Sequence, residues 1–245
     1  MALLSGRLRL IASNIEKGQT MTDIGTDHGF LPLYLWENKI CPKIVMTDIS
    51  ERSLSKAISA FSAHKGEAGV DFRLGDGLSP LEKGEADVAV IAGIGGILTA
   101  RILGDDMPKT QSFEKFILQP RSAVDKLRYW LEMAGFHTVS EQLAEEGKFI
   151  CEIITVRPPE RANGFPVPLK ACECEIGYEV PCVSTVGSND LLCKFLTKKL
   201  IKERAILKEM RDGGAEDDAK KTMIEKRIEF LEKKAGEAAA QNENH

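Results

Sequence analysis

Five short apolar runs, each followed by a segment with helical spacing, constrain the fold of the first 120 residues more than any other feature. The runs are MTDI (21–24), KIVMTDI (43–49), VDFRL (70–74), DVAVIA (87–92) and KFILQ (115–119). Short runs that lack polar alternation are typical of strands that are buried on both faces. Such strands need crossover helices, so the pattern predicts a doubly wound α/β fold around a parallel sheet.

The flanking segments extend this domain. Residues 3–16 carry apolar side chains at helical spacing and predict an amphipathic N-terminal helix. Residues 137–158 contain two strand-like runs split by Glu146-Gly147, which predicts a closing antiparallel hairpin. We place the domain at residues 1–160, ending just after a Pro-Pro pair.

Residues 161–245 follow a different pattern. The stretches 189–212 and 219–235 have apolar residues at helical spacing and are separated by Gly213-Gly214. They predict a C-terminal domain of two antiparallel helices, a coiled-coil-like hairpin. The first stretch is mildly basic, and its outer face is either a solvated helix surface or a surface that follows a phosphate backbone.

Composition excludes several classes of protein. No apolar run approaches the roughly 18 residues that span a bilayer, and the charged N-terminal region is unlike a signal peptide, so we expect a cytoplasmic protein with no membrane association. The six cysteines include no CxxC pair, and Cys172-x-Cys174 is interpreted as two ordinary residues, so no structural metal is expected. The net charge of -4 disfavours uniform coating of nucleic acid but allows local basic patches. A monomer is compatible with these features.

The stretch TMTDIGTDHGFLP (20–32) indicates a ligand-binding turn. Asp23, Gly25 and Gly29 stand where a glycine-rich strand-to-helix turn needs them, but Asp27 replaces the glycine that usually admits a pyrophosphate. A carboxylate there would repel that phosphate. S-adenosylmethionine has no phosphate and carries an ammonium and a cationic sulfur, so the turn favours this cofactor over a dinucleotide.

Two further acidic residues follow the next two strands. Asp48 ends the second strand, where such folds place a carboxylate that accepts hydrogen bonds from ribose hydroxyls. Asp76, after the third strand, is placed to reach an adenine amine. This spacing also serves NAD, so a nicotinamide oxidoreductase remains an alternative. A non-enzymatic scaffold that binds a protein through its helical hairpin is another.

Five motifs together resemble the bacterial tRNA (adenine-22, N1)-methyltransferase family: DIGTDHGFLP (23–32), RLGDGL (73–78), IAGIGG (91–96), ILQPR (117–121) and EEGKFICEI (145–153). The resemblance extends from Arg7 to about Val156 and continues more loosely through the C-terminal helices. It implies a Rossmann-like class I methyltransferase sheet. It also implies methyl transfer from S-adenosylmethionine to N1 of an adenine in tRNA, adenine 22 of the D-arm. Action on another RNA remains an alternative.

The chain departs from the family pattern at three positions. Ile94 stands where the family usually has Met, Arg121 where it has Asn, and Cys151 where it has an aromatic residue. The change at Arg121 places a positive charge near the end of the fifth strand.

The IAGIGG motif stands where many base methyltransferases have Asn/Asp-Pro-Pro-aromatic. That motif holds the hydrogens of an exocyclic amine, whereas a ring nitrogen already presents a lone pair. The site must then supply placement and a partner for the charge that develops on adenine. Asp27 is the candidate partner, and His28 would orient it or contact RNA. Alternatively, Asp27 caps the next helix or binds the methionine ammonium, and His28 is structural.

The candidate residues form three groups. Asp27 and His28 are the candidate catalytic residues. The candidate cofactor-binding residues are Asp23, Gly25, Thr26, Gly29, Asp48, Ile49, Asp76, Gly77, Ala92 and Gly93. The candidate tRNA-binding residues are Arg7, Arg9, Gly95, Gly96, Gln119, Arg121, Lys198, Lys199 and Lys202.

Overall fold

The computed structural model of the protein describes residues 4–64, 66–160, 176–181, 184–186, 189–213 and 217–242. Its strands are β1 Met21–Ile24, β2 Ile44–Asp48, β3 Val70–Leu74, β4 Val88–Ile94, β5 Lys115–Pro120, β6 His137–Glu146, β7 Phe149–Arg157 and β8 Ser184–Val186. Its α-helices are α1 Gly6–Ser13, α2 Phe30–Glu37, α3 Glu51–Ala60, α4 Gly96–Asp105, α5 Met107–Thr110, α6 Val124–Met133, α7 Asn189–Asp212 and α8 Asp218–Asn242.

The strands form one mixed sheet in the order β3-β2-β1-β4-β5-β7-β6-β8. Strands β1 to β5 pair in parallel, and β7 lies antiparallel between β5 and β6. The chain order reverses between β1 and β4, which is the switch point where open α/β sheets bind ligands. The predicted Rossmann-like sheet and its closing hairpin are therefore confirmed.

Both faces of the central strands are covered, which explains their continuous apolar runs. In β4, Ala89 and Ile91 belong to a core cluster that also contains residues of α4 and α6. Val88 and Val90 belong to the cluster that contains residues of α1, α2 and α3. Strand β4 runs two residues beyond the predicted end, with an irregularity between Ala92 and Ile94.

The C-terminal helices pack on each other as predicted. Helix α7 runs antiparallel to α8. Two ion pairs show this direction, since Arg204 pairs with Glu232 and the later Arg211 pairs with the earlier Glu225. Their shared apolar cluster includes Leu143 of β6, so the hairpin also packs against the sheet. Strand β8 pairs with β6 and adds a short strand beyond residue 160. Gly213 follows α7 in a turn, and Gly214 lies outside the described residues.

The parallel strands bring their carboxyl ends to one side of the sheet, which we call the carboxyl edge. Strand β6 is antiparallel to β7, as β5 is, and therefore runs in the same direction as β5. The tip of the β6–β7 hairpin consequently lies at the carboxyl edge too. Most candidate site residues lie at this edge, either at strand ends or in the loops that follow.

Cys41, Cys151 and Cys193 are free thiols, and Cys172 and Cys174 lie outside the described residues. Within the described ranges, no group of three or more His, Cys, Asp and Glu side chains could hold a metal ion. Over those same ranges, no helix combines the length and the apolar character that crossing a membrane requires.

Candidate active site

The turn after β1 bends back over β2. The backbone N–H groups of Gly25 and Thr26 both donate to the carbonyl of Thr47, at 2.8 and 3.0 Å. Gly25 has a φ of +80°, and a Cβ placed on it would lie 3.0 Å from Cδ1 of Ile94. Only glycine adopts this conformation readily at so close an approach. The turn and the IAGIGG loop thus lie against each other at the switch point.

Two carboxylates lie beneath this turn. Asp23 in β1 and Asp48 at the end of β2 are both buried. The pKa of Asp23 is raised to about 6, chiefly by burial and also by the charge of Asp48, while Thr26 and the charge of Arg7 oppose the shift. Oδ1 of Asp48 accepts a 2.7 Å hydrogen bond from the backbone N–H of Ser50. Two buried carboxylates this close together favour a ligand that carries positive charge or donates hydrogen bonds.

The adjoining surface carries Asp76 and an exposed apolar side chain. Asp76 accepts a 3.0 Å hydrogen bond from Nη2 of Arg101 on α4, and its side chain is half-exposed. Ile49 follows Asp48 and is 71% exposed. Gly77 has a φ of +55° and packs against Ile102. An exposed isoleucine next to Asp48 in the chain provides an apolar surface for a flat ring with polar groups at its margins.

Asp27 and His28 project from the turn toward solvent. Oδ1 of Asp27 accepts a 2.6 Å hydrogen bond from Nζ of Lys56, and Oδ2 lies 2.7 Å from Nδ1 of His28. The hydrogen bond from Lys56 is the main cause that lowers the pKa of Asp27, so this carboxylate is ionised at neutral pH. The His28 ring stacks on Phe30 at a centroid distance of 5.3 Å. This pair is accessible to a substrate.

The capping alternative for Asp27 is wrong. The N-cap residue of α2 is Gly29, with a φ of +67° and no side-chain hydrogen bond to the helix. A Cβ on Gly29 would lie 3.2 Å from the side chain of Ala57 on α3. Gly29 therefore begins the helix and lets α3 approach, and the Asp27 carboxylate is committed to Lys56 and His28.

The IAGIGG loop is shaped by close backbone packing. Gly93 adopts a φ of +79° at the irregularity in β4, directly after Ala92. The N–H of Gly96 donates to the carbonyl of Ser122, and a Cβ on Gly96 would overlap the carbonyl oxygen of Ala123. Gly95 lies beside the hydroxyl of Ser122. Glycine is thus required for the loop to pack against the end of β5.

Arg7 connects α1 to two strand ends at the carboxyl edge. Its Nε donates to Oε2 of Glu146 and its Nη1 donates to Oε1 of Gln119, both at 3.0 Å. Gln119 is buried. Arg7 and Gln119 therefore belong to one network inside the site, and this network leaves Arg7 half-buried rather than free on the surface.

The other candidate RNA-binding cations occupy two regions. Arg121 is exposed beside Gly93, and its backbone N–H donates to the carbonyl of Ile94. Arg9 lines a cavity of about 430 Å³ between α1, β6 and α7.

The three candidate RNA-binding lysines on α7 differ in the contacts that they make with the rest of the protein. Lys198 donates to the carbonyl of Lys148 at the hairpin tip, and Lys202 is exposed. Lys199 binds Glu179 and lies over the Phe195 ring, so it also holds α7 in place.

Two residues of the site were missed by the sequence analysis. Lys56 binds Asp27, and Glu146 binds Arg7, but their partners lie 29 and 139 residues away. No local pattern marks such pairs. Their oppositely charged partners become neighbours only when the helices dock on the sheet.

The sheet order, the glycine turn after β1 and the buried acidic residues at two strand ends define a Rossmann-like class I methyltransferase. The Methyltransferase domain family matches residues 4–154. The tRNA (adenine(22)-N(1))-methyltransferase of Bacillus subtilis is 32% identical over 162 residues, which are 66% of this chain and 68% of that protein. The chain belongs to the tRNA (adenine-22, N1)-methyltransferase family.

Solved structures agree with this assignment over nearly the whole chain. The crystal structure of the Bacillus subtilis enzyme matches with a TM-score of 0.76 and 26% identity, covering 95% of this chain and 99% of that one. A candidate tRNA (m1A22) methyltransferase from Streptococcus pneumoniae, in complex with S-adenosyl-L-methionine, matches with a TM-score of 0.76 and 25% identity. That match covers 94% of this chain and 99% of the other.

Proposed function

We propose that this protein transfers a methyl group from S-adenosylmethionine to N1 of adenine 22 in tRNA. The observation that carries the proposal is the 32% identity to the Bacillus subtilis enzyme over the domain that contains the site. The site itself agrees, because IAGIGG stands where enzymes that methylate amines carry a proline motif. A tRNA substrate also supports the cytoplasmic location that the sequence predicts.

The residues at the carboxyl edge fit S-adenosylmethionine. The buried carboxylates of Asp23 and Asp48 offset the positive charge of the cofactor and accept hydrogen bonds from its ribose. Oδ1 of Asp48 already accepts from Ser50, which leaves Oδ2 for the ribose hydroxyls. Gly25 keeps side-chain atoms off the turn where the methionine chain would lie, and the exposed Ile49 offers an apolar surface for the adenine ring.

The cofactor supplies, when bound, an electrophilic methyl group on a sulfonium. The chain must place N1 of adenine in line with it and exclude water. Adenine gains a positive charge as N1 is methylated. The ionised Asp27 would accept a hydrogen bond from the adenine amino group and stabilise this charge, with His28 and Lys56 holding its orientation. No Lewis acid is needed, because N1 already has a free lone pair.

The test is methylation of tRNA transcripts with the modified position mapped by mass spectrometry. We expect one methyl group on N1 of adenine 22, and none on a matched transcript that carries guanosine at that position. Methylation at a different nucleotide, or of a different RNA in preference to tRNA, would contradict the proposal.

A ligand titration separates this function from the two alternatives. S-adenosylmethionine at about a hundred times its dissociation constant should add roughly 2.7 kcal/mol to the free energy of unfolding. NAD should add nothing, because the pyrophosphate would meet Asp27. Stabilisation by NAD alone favours an oxidoreductase, and stabilisation by neither favours a scaffold.

Replacing Asp48 should weaken the binding of the cofactor. Asp48→Asn keeps an oxygen that can accept from Ser50, but it loses the charge that strengthens bonds to the ribose. We expect the dissociation constant of S-adenosylmethionine to rise at least about tenfold, since a charged hydrogen bond contributes roughly 1.5–3 kcal/mol. Isothermal titration measures this change. An unchanged constant in the folded variant removes Asp48 from the site.

The pKa of Asp23 predicts a pH dependence of cofactor binding. A cationic ligand prefers the ionised carboxylate, so affinity should rise as the pH passes upward through about 6 and level off near pH 7. Stability changes in the opposite direction. The folded protein holds the proton more tightly than the unfolded chain, so the free energy of unfolding falls as the pH rises from 3.8 to about 6.

Asp23→Asn is the control for both effects, because an amide does not titrate. Dissociation constants measured between pH 5 and 7 should be nearly constant in this variant. If wild type and Asp23→Asn show the same pH dependence, another group controls binding.

A further inference from the structure

We infer that Phe149, at the tip of the β6–β7 hairpin, is a stacking surface for a tRNA base next to the target adenine. The inference rests on the proposed function and identifies a substrate contact at the same site. Four observations carry it: exposure, rigidity, charge and position.

Phe149 is the most exposed of the Phe, Tyr and Trp side chains among the described residues. It is 64% exposed, and the next phenylalanine, Phe30, is 51% exposed. The remaining Phe, Tyr and Trp side chains in the described ranges are buried or half-buried. Both exposed rings lie at the carboxyl edge, because Phe30 begins α2 after the glycine turn and Phe149 begins β7. Burial of such rings is a large source of stability, so exposing two of them at the active-site edge points to a ligand.

The hairpin tip that carries Phe149 is held on both sides. Glu146 pairs with Phe149 in the β ladder, and its carboxylate accepts from Arg7 of α1 at 3.0 Å and from the hydroxyl of Ser5 at 2.8 Å. On the other side, Nζ of Lys198 in α7 donates to the carbonyl of Lys148 at 2.8 Å. These contacts fix the backbone of the tip, so little backbone entropy is lost when a base stacks on the Phe149 ring.

The charge around the ring suits RNA. Nζ of Lys148 lies 5.4 Å from the centroid of the Phe149 ring, and Lys198 lies at the same tip. Nearby, Lys194 pairs with Glu145, and Arg7 pairs with Glu146, so these carboxylates are neutralised. Among the described residues, neither Lys148 nor Lys198 forms an ion pair with a carboxylate, and an exposed aromatic ring beside such lysines is the combination that binds unpaired nucleotides.

The tip lies close to the reaction site. The single side chain of Arg7 contacts both Glu146, near Phe149, and Gln119 at the end of β5. Strand β5 pairs with β4, which leads into the IAGIGG loop. An adenine that presents N1 must leave its stack, and this exposes the face of a neighbouring base. Phe149 lies where it can cover that base.

The test compares four substitutions. Phe149→Ala should raise the Michaelis constant for tRNA about tenfold, because stacking on an aromatic ring contributes roughly 1–3 kcal/mol per base. Phe149→Tyr should retain wild-type values, and Phe149→Leu, which keeps apolar area without a ring, should resemble alanine. Met133→Ala is the matched control, since Met133 is an exposed apolar residue at the C-terminal end of α6. It should have no effect.

A direct readout comes from Phe149→Trp. Titration with tRNA should quench its fluorescence beyond the change seen in wild type, which contains Trp36 and Trp130. Cofactor affinity and thermal stability should be unchanged in all of these variants. Full tRNA affinity in Phe149→Leu, or no extra quenching in Phe149→Trp, overturns the inference. Methylation of adenine 22 by the wild-type protein tests the proposed function alone. The proposed function and the inference about Phe149 can therefore fail separately.

Discussion

Replacing Arg128 with methionine is expected to lower the free energy of unfolding by about 3–5 kcal/mol. Arg128 lies on α6 with 6% of its surface exposed. Its Nε donates to Glu141 of β6 at 2.6 Å, its Nη2 donates to Glu152 of β7 at 2.5 Å, and its Nη1 donates to the carbonyl of Tyr178. Methionine fills similar space but leaves two buried carboxylates without their cation.

The matched control removes the carboxylates together with the arginine. Arg128→Met/Glu141→Gln/Glu152→Gln removes all three charges of this cluster, so most of the lost stability should return. For a chain of this size, the single variant should unfold roughly 6–20 °C below wild type. Calorimetry measures both differences. If the triple variant is as unstable as the single one, packing rather than unpaired charge causes the loss.

The burial of Arg128 could not be predicted from the sequence pattern. The spacing of Leu127, Trp130 and Leu131 marks the buried face of α6, and a charged residue beside them predicts a solvated position. The structure buries it because its partners, Glu141 and Glu152, come from two different strands. Pairs of this kind have no periodicity, so only the assembled fold identifies them.

The fold itself was predictable because it depends on local patterns. The five parallel strands follow from their apolar runs, with ends within about two residues, because both faces of each strand are covered. The hairpin turn follows from Gly147, which adopts a φ of +59°. Strand β8 was not predicted, since three residues are too few for a pattern. The N-terminal helix is shorter than predicted, Gly6–Ser13 rather than 3–16.

The position of the motif residues in the fold was predictable for the same reason. The motif residues cluster at the carboxyl edge because parallel strands bring their ends together. What each side chain contacts was not predictable. Asp27 precedes a helix and could have capped it, but Gly29 occupies the N-cap and Lys56 binds the carboxylate. Lys199 carries the charge expected of an RNA-binding residue, but in the structure its ammonium donates a hydrogen bond to the carboxylate of Glu179.

Asp27→Asn should slow the methylation step about a hundredfold, equivalent to about 2.7 kcal/mol, while cofactor affinity changes far less. Asparagine keeps the shape and one acceptor oxygen but loses the negative charge that would stabilise the developing adenine cation. In the free protein this carboxylate is half-exposed and its charge is screened by water. Bound RNA would exclude that water and strengthen the interaction.

Lys56→Met is the matched control for the loss of the ion pair. Asp27→Asn and Lys56→Met both remove the ion pair between the turn and α3, but only the first removes the carboxylate. The lysine variant should therefore keep a rate within about threefold of wild type under the electrostatic account. Single-turnover methylation with enzyme saturated in both substrates measures the step, and a separate titration measures cofactor affinity. If both variants slow the reaction equally, Asp27 acts by fixing the turn. If the rate and the cofactor affinity of Asp27→Asn fall in parallel, its carboxylate binds the methionine ammonium instead.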